Sequence, residues 1–74
     1  MSIKNLVIDL MMHKKGILFV DTLKSSRNYD VFYCVDIETN RYSFWSWKFC
    51  RRPVMISNNL NRTDAAFTLS LMGG

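Results

Sequence analysis

An aromatic-rich segment interrupted by one short polar turn constrains the fold of this chain more than any other feature. Residues 29–50 hold eight of the ten aromatic residues. Glu38, Thr39 and Asn40 divide this segment into two runs of aromatic and β-branched residues, which favour strands. The pattern predicts a central aromatic β-hairpin.

The register of this hairpin decides which side chains share a face of the sheet. A two-residue loop at Thr39 and Asn40 would mix polar and apolar side chains on both faces. A three-residue loop with Asn40 in the left-handed conformation pairs Ile37 with Arg41 and separates a core face from a surface, so we predict it. The core face then carries Val31, Tyr33, Val35, Ile37, Trp45, Trp47 and Phe49, and the surface carries Asp30, Phe32, Cys34, Asp36, Tyr42, Phe44, Ser46, Lys48 and Arg52.

The N-terminal segment predicts an amphipathic helix. Its apolar stripe at helical spacing consists of Ile3, Leu6, Val7, Leu10 and Met11. Ser2 can cap the start, Lys14 and Lys15 suit the last turn, and Gly16 can end the helix. Residues 6–12 also alternate as a strand would, but the capping residues favour the helix. We expect the stripe to pack on the sheet rather than on a membrane surface.

The remaining segments complete an α+β prediction. Residues 17–23 predict a strand, and residues 54–56 predict either a bent continuation of the third strand or a fourth strand. Residues 57–64 predict turns, and the alternation of residues 67–71 predicts a strand rather than a helix. We expect a single domain over residues 1–74, with an N-terminal helix packed on a small, mostly antiparallel sheet of about four strands.

The chemistry-bearing residues give little support for an enzyme. A structural zinc site needs four Cys or His ligands, whereas the chain has one histidine, His13, and two cysteines, Cys34 and Cys50. The histidine lies on a different predicted element from either cysteine, so no nucleophile is paired with a base. No glycine-rich phosphate loop is present in the sequence. We therefore expect no catalytic residue, no metal and no cofactor.

Cysteine content and hydropathy predict a cytoplasmic protein. Two cysteines are too few for a disulfide-stapled secreted scaffold. The early apolar stretch, residues 6–12, is interrupted by Asp9 and is far shorter than the ~20 residues that span a bilayer. We expect no interaction with a membrane.

Positive charge is concentrated in the second half of the chain. Ten basic and six acidic residues give a net charge of +4, and within residues 1–40 five of each cancel. Residues 41–52 carry the cations Arg41, Lys48, Arg51 and Arg52 and no acid. Such a local field favours phosphate or an acidic protein surface. The alternative is that the charge only keeps a small protein soluble.

The predicted surface face of the hairpin is the candidate partner-binding site. Its residues are Tyr42, Phe44, Lys48, Arg51 and Arg52, with Phe32 on the neighbouring strand. Aromatic residues and arginine are enriched at the centres of protein interfaces. We expect a small non-enzymatic binding protein that modulates a macromolecular partner, with a protein favoured over naked nucleic acid. A phage- or mobile-element-type inhibitor of a host protein or nucleoprotein complex is one form that such a protein takes.

Two alternative functions use the same residues. Aromatic side chains on an open sheet flanked by cations can bind single-stranded nucleic acid, because bases stack on the rings and phosphates contact the cations. Asp30 and Asp36 on the same predicted face oppose this interpretation, since they would repel phosphate. In the other alternative the aromatic face is the interface of a homodimer.

Overall fold

The computed structural model describes residues 3–48 and 51–72. The elements follow the chain as α1 (Ile3–Lys14), β1 (Leu18–Ser25), β2 (Tyr29–Asp36), β3 (Arg41–Lys48), β4 (Val54–Leu60) and α2 (Arg62–Met72). The four strands form one antiparallel sheet in the order β1-β2-β3-β4. The predicted α+β class, with an N-terminal helix on a four-stranded antiparallel sheet, is confirmed.

The first helix ends at the glycine that the sequence predicts. Gly16 has a φ of 77°, and its N–H donates to the His13 carbonyl at 3.0 Å. The Ile17 N–H donates to the Met12 carbonyl at 3.2 Å, so two carbonyls of the last turn have partners. Ser2, the predicted N-terminal cap, lies outside the described residues.

The hairpin turn contains four residues, so the predicted three-residue register is wrong. Asp36 pairs with Arg41, which leaves four residues between them. A carboxylate oxygen of Asp36 accepts hydrogen bonds from the backbone N–H groups of Glu38 at 2.9 Å and Thr39 at 3.3 Å. Asn40 is left-handed as predicted, with a φ of 58°, and its N–H donates to the Asp36 carbonyl at 2.7 Å. The additional loop residue moves every β3 side chain to the opposite face from the predicted one, relative to β2.

Both faces of the hairpin therefore carry apolar side chains, and a helix packs on each: α1 on one face and α2 on the β3 and β4 part of the other. On one face, α1 contributes Ile8 and Met12 to a core that also contains Phe32, Cys34, Trp45 and Trp47 of the sheet. The predicted apolar stripe of α1 is wrong in part, because Ile3, Leu6 and Leu10 are exposed, while Val7 and Met11 pack against this core. On the other face Phe44 is fully buried, α2 contacts β3 and β4, and Ala65 of α2 is buried. Trp45 and Trp47 are buried as predicted, but the predicted division of the hairpin into a core face and a surface face is wrong. Phe49, which the prediction placed in the core, lies outside the described residues.

The C-terminal segment is a helix, not the predicted strand. The side-chain oxygen of Asn61 accepts a hydrogen bond from the Asp64 N–H at 2.7 Å, which caps α2. Ala65 is buried against the sheet, while Phe67 and Leu71 are 66% and 69% exposed. The alternation that predicted a strand thus arises from a helix whose apolar residues lie on two different sides.

The fourth strand continues through the asparagines for which turns were predicted. Between two aligned pairs of β3 and β4, Ser43 alone lies opposite both Asn58 and Asn59. This arrangement is a β-bulge, and Asn59 adopts a φ of 60° within it. The bulge at Asn58 and Asn59 therefore lies within β4, and the strand continues past it to Leu60.

Candidate partner-binding surface

Two of the six predicted binding residues are buried in separate cores. Phe32 packs under α1, whereas Phe44 lies on the opposite face under α2, and both are 0% exposed. The prediction that they share an exposed face is wrong because it depended on the three-residue turn. Neither ring can contact a partner while the protein is folded.

The third predicted aromatic residue, Tyr42, belongs to a packed row of rings. Tyr33 stacks on Phe44 with ring centroids 5.6 Å apart, and it contacts Tyr42 at 6.3 Å. Burial, followed by the charge of Asp21 and the proximity of Tyr42, raises the pKa of the Tyr33 phenol. Tyr42 is half-buried beside it, so these rings pack against one another rather than forming an open platform.

The predicted cationic residues are exposed, but they form two groups. Arg41 starts β3 and Lys48 ends it, so these two residues are roughly 23 Å apart along the strand. Arg51 and Arg52 follow Lys48, and all three line a depression at that end of β3. The backbone N–H of Arg51 donates to the Lys48 carbonyl at 3.0 Å.

Two lysines at the end of α1 connect these two groups. Lys15 and Arg41 line one groove, which has a volume of about 550 Å³. Lys14 and Lys15 line a second groove with Arg52. We call the resulting set of exposed cations the basic band; its members are Lys14, Lys15, Arg41, Lys48, Arg51 and Arg52. Sequence analysis assigned the two lysines to the last helical turn alone, and their adjacency to each other was the only signal of a second role.

The acidic residues lie mostly away from the basic band. Among the described residues that line the two grooves and the depression, Asp36 is the only acid. Asp30, which was predicted to lie on the surface with the cations, is instead buried. One of its carboxylate oxygens accepts a hydrogen bond from the Ser25 hydroxyl at 2.7 Å and lies 3.5 Å from the Lys4 ammonium. That carboxylate therefore belongs to the core and does not oppose an anionic partner.

Both tryptophans fix parts of the basic band to the core. The Trp47 indole N–H donates to the Arg51 carbonyl at 2.9 Å, which anchors the backbone where Arg51 and Arg52 leave the sheet. The Lys15 ammonium lies 5.8 Å from the centroid of the Trp45 ring, within the range of a cation–π contact. These contacts fix the backbone at Arg51 and the side chain of Lys15 before a partner binds, which reduces the entropy lost on association.

The one cysteine within the described residues is a buried core residue. Burial, with a smaller contribution from Asp9, raises the pKa of the Cys34 thiol to about 12. A thiol with this pKa is protonated near neutral pH, and the thiolate is the nucleophile and the metal ligand. The part of the chain that the structure describes contains no group of three or more His, Cys, Asp and Glu side chains placed to hold a metal ion. Cys50 lies outside the described residues.

Comparison of the chain with family models, with curated proteins and with solved structures found no match. Neither described helix has the length and apolar character needed to cross a membrane.

Proposed function

We propose that this chain is a small non-enzymatic binding protein that modulates a macromolecular partner through the basic band. The observation that carries the proposal is the convergence of six exposed cations from three chain segments, with Asp36 as the only acid among the described lining residues. Opposed charges of this kind steer association and set specificity. One form of such a protein is a phage- or mobile-element-type inhibitor of a host protein or nucleoprotein complex.

The proposed partner is a protein with an acidic surface. Single-strand binders combine cations with rings on which bases stack, and stacking contributes roughly 1–3 kcal/mol per base. Here Phe32 and Phe44 are fully buried and Tyr42 is packed beside Tyr33, so the predicted stacking rings are occupied by the protein itself. An acidic protein surface needs no such rings, and this favours it over single-stranded nucleic acid.

Charge reversal within the basic band tests this proposal. Arg51→Glu combined with Arg52→Glu changes the charge by four units on exposed side chains. Lys24→Glu combined with Arg27→Glu makes the same change on exposed residues outside the basic band and is the matched control. Each immobilised protein is incubated with bacterial lysate, with and without nuclease treatment, and retained proteins are quantified by mass spectrometry.

We expect an acidic protein to be retained by the wild type and by the control, and to be lost with the Arg51 and Arg52 variant. Retention that disappears after nuclease treatment would instead favour the nucleic-acid alternative. Equal losses with both variants would show that only the net charge matters, and would contradict the proposal.

A further inference from the structure

The groove that contains Arg41, hereafter the Arg41 groove, has features that charge alone does not explain. It is about 550 Å³ in volume and lies beyond the C-terminal end of α1. Its apolar surface is formed by Ile17, Trp45 and Met55, and polar side chains of the hairpin turn and of β4 complete it. A site of this composition can bind a segment that has both apolar and charged groups.

The β-bulge places two neighbouring asparagines in this groove. Successive side chains of a regular strand point to opposite faces. Because Ser43 lies opposite both Asn58 and Asn59, the alternation is interrupted, and both asparagines line the groove. Bulges are over-represented next to functional sites, where they redirect a side chain. The left-handed φ of 60° at Asn59 is one that asparagine tolerates better than most residues.

The hydrogen-bonding groups of the groove are largely uncommitted within the described residues. The side chains of Arg41, Asn58 and Asn59 have no hydrogen bond or ion pair there, whereas Ser43 accepts a bond from the Trp45 indole at 2.8 Å. A guanidinium offers five donors in a fork that matches a carboxylate, and each amide side chain offers both a donor and an acceptor. These groups are therefore available to a ligand.

We propose that the Arg41 groove binds an extended acidic segment of the protein partner. A carboxylate of the segment is bound by Arg41 and Lys15, its backbone N–H and C=O groups pair with Asn58 and Asn59, and a neighbouring apolar side chain packs on Met55. This inference rests on the proposed function and specifies the part of the partner that is recognised. The remaining cations of the basic band contact the acidic surface around that segment.

A peptide fits this groove better than a nucleotide does. The Trp45 ring is only 7% exposed and has the Lys15 ammonium beside it, so it offers no free face to a base. Phosphate groups accept hydrogen bonds but donate none, so only the base or sugar of a nucleotide could pair with the acceptor oxygens of the asparagines, whereas a peptide backbone offers an N–H donor at nearly every residue. Asp36 in the groove repels phosphate and carboxylate alike, so the distinction lies in the peptide N–H groups, which can donate hydrogen bonds to it.

The test is an NMR titration of the ¹⁵N-labelled protein with three probes. The first is a short peptide that alternates Glu and Leu, the second has Gln in place of every Glu, and the third is oligothymidylate. We expect the Glu peptide to shift the side-chain amide signals of Asn58 and Asn59 and the Trp45 indole signal, and the Gln peptide to bind at least about tenfold more weakly because charge-assisted hydrogen bonds are lost. Equal shifts of these signals with oligothymidylate would overturn the assignment to a peptide.

Amino-acid substitutions distinguish the contribution of the Arg41 groove to peptide binding from that of the other cations of the basic band. The first groove variant combines Asn58→Ala with Asn59→Gly, which removes both side-chain amides; glycine at position 59 retains the left-handed backbone. The second groove variant is Arg41→Gln. Lys24→Gln, outside the basic band, is the control. NMR spectra of the unbound variants are recorded first, to check that each variant is folded. We expect the Kd for the Glu peptide to rise roughly tenfold or more with either groove variant and to be unchanged by the control.

Two results would overturn the proposal that the Arg41 groove binds the acidic segment, while leaving the proposed function intact. One is binding that shifts only signals around Lys48, Arg51 and Arg52. The other is the absence of peptide binding together with retention of an acidic protein in the lysate experiment. Failure of that experiment as well would overturn the proposed function too, so the two proposals fail in distinguishable ways.

Discussion

The Cys34 thiol couples the stability of the protein to pH. Its pKa is about 12 in the folded state, against an ordinary value of 9.0, because burial disfavours the thiolate and Asp9 adds a smaller effect of the same sign. The unfolded chain therefore loses the proton at lower pH than the folded chain does. The resulting stabilisation is fully present below pH 9 and is lost as the pH rises toward 12.

We expect alkaline pH to destabilise the wild type more than a Cys34→Ala variant. In the window above the unfolded pKa, each pH unit removes up to about 1.4 kcal/mol of unfolding free energy through this thiol. Urea denaturation of both proteins at pH 8 and at pH 10.5 measures the difference in slope, which is independent of the cavity that the variant creates. Parallel pH dependences of the two proteins would contradict the assignment of this effect to Cys34.

The two left-handed asparagines show what a residue type can and cannot indicate. Asn40 lies between two strand-like runs, so its turn role followed from its neighbours in sequence, and its φ of 58° confirms it. Asn59 has a similar φ of 60°, but its conformation depends on the bulge opposite Ser43 of another strand. Local sequence contains no signal for that pairing. The bulge, and with it the Arg41 groove, could not be predicted.

At the scale of elements, the hairpin register depended on a helix that sequence analysis missed. The three-residue turn was chosen because it gave one apolar and one polar face, which is the pattern of a sheet with one side in water. In the structure neither side of the hairpin simply faces water, because Phe44 is buried under α2 and Phe32 is buried under α1. Once both faces are covered, alternation no longer distinguishes the registers.

Truncation of Phe44 tests the observed register. Phe44→Ala is expected to lower the free energy of unfolding by about 3–5 kcal/mol, because a fully buried ring is replaced by a cavity. The same truncation at half-buried Tyr42 serves as the control and should cost less. Chemical denaturation followed by circular dichroism measures both changes. A near-neutral Phe44 variant would favour the predicted register, whereas Trp47, buried in both registers, cannot separate them.

The cap of α2 gives a second element-scale prediction. Asn61→Ala removes the acceptor for the Asp64 N–H and should destabilise the protein by about 1 kcal/mol. Asn28→Ala, in the exposed turn between β1 and β2, is the matched control and should change stability by less than about 0.5 kcal/mol. Thermal unfolding at several urea concentrations is sufficient to resolve this difference. Equal effects of the two substitutions would argue against capping by Asn61.

This cap is also the sequence signal that would have identified α2. Asn61 precedes Asp64 by three residues, which is the spacing of an N-terminal cap, and two alanines follow. The alternation of residues 67–71 was weighted more heavily. In the structure Leu69 is half-buried, whereas Phe67 and Leu71 are exposed. A short helix with apolar residues on two sides has no single stripe by which to recognise it.

At the scale of the molecule, the basic band combines segments that are distant in sequence. The four cations within residues 41–52 form one cluster in the sequence. In the structure Arg41 and Lys48 lie at opposite ends of β3, and Lys14, the last residue of α1, and Lys15 after it line the grooves that contain Arg41 and Arg52. Helix-on-sheet packing, which the sequence predicted in outline, brings these segments together. The position at which α1 packs on the sheet is set by tertiary contacts, and no local sequence pattern specifies it.

The expectation that no metal stabilises the protein remains a prediction. Metal that holds a fold together contributes directly to its folding free energy, so its removal lowers the melting temperature. We expect EDTA to leave the melting temperature unchanged, as measured by circular dichroism, with a zinc-finger protein as a positive control. A marked decrease would indicate that His13, Cys34 and Cys50 take part in a metal site.

The order of strands has a consequence for how the chain reaches its native state. Each strand after β1 pairs with the strand before it in sequence, so the sheet requires only short loop closures and can assemble progressively as the chain emerges from the ribosome. The helix α2 comes after all four strands, so the sheet face that contains Phe44 stays open until that helix is synthesised. During this interval the nascent chain exposes an aromatic surface that the finished protein buries. A chaperone that binds hydrophobic segments would have its main opportunity at that stage.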